Sequence, residues 1–269
     1  MADDRVLELE GVHNFRDHGG YAVVGGGRLK RGLLWRSGQH HGATEADLAV
    51  ISGLRLASVF DLRSSKERET HPCRRPGDFS ATVVFSDDPP RREKRMMLAP
   101  HVAAAADAGQ QARRDPAEVR AAMVRNYAGI AWRPELVAAT RLYFAHLAQG
   151  RGPSLVNCMA GKDRTGIAVA MLHHALGVHP DDVMADYLLT NTAGDVEARV
   201  AAGMETIRAT SGEVDEGIMR IMMMVEPEWL EAVYARASAD HGGIEGYLRD
   251  VLGVDDALRE RLRDALVEG

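Results

Sequence analysis

The stretch Ser154-Leu155-Val156-Asn157-Cys158-Met159-Ala160-Gly161-Lys162-Asp163-Arg164-Thr165-Gly166 decides how this chain folds. Its opening three residues form a short apolar run behind the breaker Gly150-Arg151-Gly152-Pro153, the pattern of a buried strand. Beyond it, Ile167, Val169, Ala170, Met171, Leu172, Ala175 and Leu176 make an apolar segment long enough for a helix, which Gly177 can end. The unit is therefore strand, loop, helix. A loop entering a helix N-terminus turns several backbone N–H groups inward and adds the positive end of the helix dipole, so it suits a dianionic phosphoryl group. The same field favours a thiolate at Cys158.

Each loop residue has a place in a displacement at phosphorus. Cys158 attacks in line, and Arg164 offers a planar fork to two non-bridging oxygens that Lys cannot match. A cysteinyl-phosphate results. The Thr165 hydroxyl stabilises the thiolate when water later expels it, and Asp163 is the natural proton donor to the leaving oxygen. Met159, Ala160 and Gly161 supply backbone, and Lys162 adds positive charge that favours heavily anionic substrates. No metal or other cofactor is required. A Cys and an Arg at this spacing also arise by chance, and alone Cys158 would read as a small buried hydrophobe. Agreement of Gly161 through Thr165 with both flanks argues for the site.

Asn157 to Gly166 resembles the signature loop of cysteine-dependent phosphatases, in the Gly-Lys-Asp-Arg-Thr-Gly version of the atypical bacterial tyrosine/serine phosphatases. Other segments match that family's pattern in order: Asn14 to Tyr21, Leu34 to Gly38, Phe60 to Ser64 with Glu67-Arg68, Asp186 to Asn191, and Gly242 to Leu248. The resemblance implies a phosphatase acting on phosphotyrosine, and on phosphoserine or phosphothreonine, under a helical lid. Two positions depart from it. Asn157 stands where the family usually has a His that supports the loop and lowers the thiol pKa, and His18 stands where an apolar residue is common.

Strands alternating with helices predict an α/β sandwich whose central, mostly parallel sheet gathers functional residues at the strands' carboxyl ends. Val6 to Leu9, Leu56 to Phe60 and Thr82 to Phe85 read as strands, and Tyr21 to Trp35 as a hairpin around Gly25-Gly26-Gly27. Thr44 to Asp47 resembles a capping box. Arg133 to Gln149 is a helix that Pro134 starts. Asp61 and Cys158 both sit at strand ends. Asp61 is a second acid candidate or a partner for Arg164, Arg16 or Arg63, with Arg63 in the same ionic network. Between about 89 and 132 the strand pattern gives way to the basic Arg91 to Arg95, an Ala-rich stretch and a helix-like run, either a lid over the site or helices on the sheet's outer face. Residues 180–269 read as helical, with Met222-Met223-Met224 as core or lid contact.

At 269 residues, with 45% hydrophobic content, the chain suffices for a single phosphatase domain over 1–269. A net charge of -6 and 5% aromatic residues speak against nucleic-acid binding. The two cysteines, Cys73 and Cys158, make no disulfide framework, and the N-terminus has no secretory pattern, which points to a reducing cytoplasm with unconventional export left open. No run approaches membrane-spanning length. His40-His41 and His173-His174 lack the spacing of a metal site. The substrate is a phosphorylated protein or a phosphoinositide, the latter suited to Lys162 and Arg91 to Arg95. A rhodanese-like sulfurtransferase would leave Asp163 and Thr165 without work, and a phosphate-binding pseudophosphatase is the reading that Asn157 suggests. Oligomeric state is not legible.

Overall fold

The computed structural model describes residues 3–85, 115–210 and 215–269. The strands are β1 (Arg16–Asp17), β2 (Arg28–Leu29), β3 (Leu34–Ser37), β4 (Ser58–Asp61), β5 (Thr82–Val84), β6 (Ser154–Asn157) and β7 (Val267–Glu268). Five of them form the central sheet in the order β1-β3-β6-β4-β5, parallel throughout except for the antiparallel edge strand β1. This is the α/β arrangement the alternating pattern demands.

Successive residues of a strand point to opposite faces, and here both faces are covered. Leu34, Phe60 and Val156 enter the larger core, whereas their neighbours Trp35, Val59 and Leu155 enter a smaller one with Val12, Phe15, Leu48 and Ile51. The smaller core lies under α1 (Glu45–Gly53), which opens with the expected capping box of Thr44 and Asp47. After α2 (Ser65–Thr70), the larger core takes the buried stripes of α3 (Pro116–Ile130), α4 (Pro134–Leu147) and α5 (Asp163–Leu176). Gly177, at φ 81°, ends α5 in the left-handed conformation that a side chain would oppose.

The remaining helices are α6 (Pro180–Leu188), α7 (Thr190–Ala193), α8 (Val196–Thr210), α9 (Glu216–Met223), α10 (Pro227–His241), α11 (Ile244–Asp250) and α12 (Asp256–Leu266). Met222 is buried in the main core, with Met224 packed against it, as Met222-Met223-Met224 suggested. Arg91 to Arg95 and the Ala-rich stretch lie outside the described residues. The described part of the 89–132 insertion is α3, which packs on α9 and α10. The strand expectations are corrected in extent. Val6 to Leu9 makes no strand: Val6 forms an isolated bridge to Arg16, held by Leu7 N–H to the Phe15 carbonyl and Asp17 N–H to the Arg5 carbonyl. The 21–35 segment does turn back at Gly25-Gly26-Gly27, with Ala22 bridging Arg28 and Leu29 bonded to Gly20 and Tyr21, but its ladder is short, and β2 also pairs with β7 at the far end of the sequence. No helix among the described residues is long and apolar enough to cross a membrane.

Candidate active site

Three parallel strands end together at the site. In register, Ser37 of β3 and Asp61 of β4 flank Asn157 of β6, and Cys158 follows immediately, buried. The loop then turns into the N-terminus of α5. Its carbonyls are held from outside: Gln39 N–H donates to the Met159 carbonyl at 3.0 Å, and Asn14 Nδ2 donates to the Gly161 carbonyl at 2.7 Å and to that of Ala160 at 3.4 Å. Arg36 Nη2 donates to the Gly161 carbonyl as well, at 3.0 Å. Gly161 itself has φ +64°, and a Cβ there would come within 2.5 Å of the Ser37 carbonyl. Only glycine fits both constraints.

A buried ion cluster fixes those supports. Asp186 of α6 accepts from Arg36 Nη1 at 2.5 Å and from Arg16 Nε at 3.3 Å, and Arg16 also donates to the Asn14 side-chain oxygen and, at 2.8 Å, to the Asp186 carbonyl. Burial opposes charge on Asp186, yet Arg16 and Arg36 hold it well below the usual carboxylate range. Burial and the neighbouring Arg36 pull Arg16 down to about 10. The matched segments Asn14 to Tyr21, Leu34 to Gly38 and Asp186 to Asn191 thus meet in one scaffold beneath the loop.

Arg164 leaves the first turn of α5 and meets Glu67 of α2 in a two-pronged pair, Nη1 to Oε2 at 2.7 Å and Nη2 to Oε1 at 2.8 Å. Its Nη1 also donates to the Leu62 carbonyl at 3.0 Å. Against the push of burial, this fork brings Glu67 down to about 2. Glu67 simultaneously completes the α2 capping box with Ser64. The sequence reading assigned Glu67 no role, although Ser64-x-x-Glu67 was a visible cap signature.

Asp163, the first residue of α5, is nearly buried, and Tyr127 of α3 donates its hydroxyl to Asp163 Oδ1 at 2.5 Å. The Lys162 ammonium lies 3.5 Å from the same oxygen. It does not project into solvent: it donates to the Met222 carbonyl at 2.6 Å and stands 5.4 Å from the centre of the Trp229 ring. Burial lowers its pKa, with Asp163 opposing. Arg199 of α8 donates to the next carbonyl, Met223, at 2.7 Å.

Asp61 is chelated by Arg63, with Nε at 2.8 Å and Nη2 at 2.7 Å, and also accepts the Arg63 backbone N–H. Of the partners considered for Asp61, Arg63 is the one it meets. Arg63 donates onward to the His71 carbonyl at 2.6 Å and to Cys73 Sγ at 3.1 Å. Neither amide atom of Asn157 has a hydrogen-bond partner among the described residues, nor does the Thr165 hydroxyl. His18 packs against His173, their Nδ1 and Nε2 3.2 Å apart, while His174 turns to the Tyr234 hydroxyl at 2.9 Å. Among the described residues no three His, Cys, Asp or Glu side chains are grouped to hold a metal.

A cysteine at the end of a central parallel strand, a tightly supported loop and an arginine at the following helix start are the arrangement expected of a cysteine-dependent phosphatase. A profile described as the tyrosine phosphatase family matches residues 7–268. The chain belongs to that family and is a phosphoric monoester hydrolase. It is 32% identical over 254 residues, 93% of this chain and 85% of the relative, to a Cupriavidus necator protein provisionally named a tyrosine-protein phosphatase. It is 28% identical over 283 residues, 97% of this chain and 99% of the relative, to the triple specificity protein phosphatase PtpB of Mycobacterium tuberculosis.

Proposed function

We propose that this chain dephosphorylates phosphotyrosine in proteins, and phosphoserine or phosphothreonine as well, through a cysteinyl-phosphate. The observation that carries the reading is the loop itself. With the Met159, Ala160 and Gly161 carbonyls engaged from outside, the N–H groups are left to the phosphoryl oxygens, and Glu67 with the Leu62 carbonyl holds Arg164 by its Nη1 and one side of its Nη2, leaving the Nε edge of the guanidinium for the same oxygens. Cys158 Sγ forms a bond to phosphorus as the bond to the leaving oxygen breaks, and Asp163 gives that oxygen its proton. Water then attacks phosphorus, Asp163 takes back a proton, and the thiolate leaves with help from the Thr165 hydroxyl. Asp61 and Arg63, chelated to each other, serve as framework for the end of β4.

The breadth of substrates draws on the printed name of the mycobacterial relative. A phosphoinositide is the second reading; it relied on Lys162, whose ammonium is committed to Met222, Asp163 and Trp229, and on Arg91 to Arg95, which lie outside the described residues. Protein substrates are favoured accordingly. Both cysteines are free thiols, in keeping with a reducing, cytoplasmic setting. The test is a panel of phosphopeptides and phosphoinositides with wild type, Cys158→Ser and Arg164→Lys. Cys158→Ser abolishes turnover while keeping substrate binding, and Arg164→Lys is severely impaired; hydrolysis surviving in both variants would refute the mechanism.

A further inference from the structure

We infer that Tyr127 is the positioning residue for the proton donor: its hydroxyl, fixed to Asp163 Oδ1, sets the orientation of the carboxyl that protonates the leaving group. The inference rests on the reading of Asp163 as that donor.

Four observations carry it. The hydrogen bond, 2.5 Å, lies entirely inside the protein, where no water competes for either partner. Tyr127 has no exposed surface and its helix is locked to the core through Val119, Met123 and Ile130, so the hydroxyl is a fixed point. The ring is wedged between Trp229, at 5.5 Å between centres, and Tyr187, at 6.4 Å, and so cannot swing away. Lastly, burial first and the nearby Asp163 second hold the phenol well above its ordinary pKa, so Tyr127 stays a donor throughout the working range and never competes for the proton.

Tyr127 reaches the site from α3, an element outside the loop, and none of the matched sequence segments contains it. The other charged groups around Asp163 are Lys162 at 3.5 Å and, acting over longer range, Arg133, Arg164 and Arg199. Tyr187 is a second phenol that feels Asp163, and Cys158 acts on the neighbouring Lys162. Lys162 is anchored at the Met222 carbonyl, so the freedom of Asp163 Oδ1 is removed from two sides, by a neutral donor and by a cation. Of the two, the neutral donor can be deleted without changing the charge of the site.

The experiment compares wild type, Tyr127→Phe, Asp163→Asn and the double variant on aryl phosphates whose leaving groups range from good to poor. Tyr127→Phe is expected to slow poor leaving groups by about 10- to 100-fold, a part of what a positioned acid contributes, with good ones and KM little changed. Because a donor to the carboxylate favours its ionised form, losing it moves the alkaline limb of the pH–rate profile upward. In the Asp163→Asn background, Tyr127→Phe costs nothing more. Fluorotyrosine placed at position 127 keeps the shape and strengthens the donor, so its alkaline limb moves the opposite way; this arm holds even where Tyr127→Phe folds poorly. An equal loss on all leaving groups with an unmoved profile overturns the inference and makes Tyr127 a packing residue. If Asp163→Asn is itself indifferent to the leaving group, the donor assignment fails and the inference fails with it, while turnover of good leaving groups still reports the Cys158 chemistry.

Discussion

In the proposed reaction Arg164 works only if its guanidinium plane faces the phosphoryl group, and a long side chain has ample freedom to face elsewhere. Glu67 removes that freedom. Glu67→Gln should keep the capping box but weaken the fork, lowering kcat/KM by about 100-fold, the scale of loss from misplacing a group by an ångström. The pair also carries stability. Glu67 falls from an ordinary 4.5 to about 2, so its contribution is fully present above 4.5 and is lost as pH drops through about 2. Denaturant unfolding of wild type and Glu67→Gln should therefore differ by about 3 kcal/mol at pH 6 and converge near pH 2.

At the level of elements, the decisive piece is the turn from β6 into α5. Gly161→Ala would place a methyl 2.5 Å from backbone atoms of Ser37 at a φ that L-residues avoid, and the obstacle is main chain, which cannot step aside. A loss of more than about 2 kcal/mol in unfolding free energy, together with loss of activity, is the expected result. Much at this scale was legible in the sequence. Leu155-Val156 announced the strand, Thr44 to Asp47 the cap, and Gly161 with Arg164 the loop, since each signal lies within a few residues. What stayed illegible depends on partners far along the chain. Asn14, Arg36 and Asp186 were visible as matched positions without roles, because the bonds of Asn14 and Arg36 to Gly161 span 147 and 125 residues. Tyr127 carried no signal at all: a tyrosine within a helical stripe looks like core, and it is core. Lys162 was misleading for the opposite reason, since a cation in a phosphate loop invites an outward reading and only packing shows it turned toward Met222.

Taken as a whole, the molecule should be sensitive to mild acid through histidines rather than carboxylates. His18 and His173 are both fully buried and share a contact of 3.2 Å, and burial above all drives them down, His173 to about 4 and His18 well below its ordinary 6.5. Between 6.5 and 4 the unfolded chain binds protons that the native one refuses, so stability declines as pH falls through that window. His173 alone contributes about 3 kcal/mol to the decline, at about 1.4 kcal/mol per pH unit. Calorimetric melts at pH 7 and pH 4.5 should show this loss in wild type and a flatter dependence in His18→Leu/His173→Phe, which restores an apolar pair. Equal slopes in the two proteins would place the acid sensitivity elsewhere.

The ion cluster under the loop has a consequence in time. Asn14 and Arg36 lie far along the chain from Gly161 and Asp186, with Arg16 and Asp186 separated by 170 residues. Closing such long loops is the slow part of a search through conformations, and nothing local substitutes for it. Helices can form early in this chain while the phosphate cradle does not yet exist. The support of the loop therefore forms only together with these long-range closures and not with any single helix.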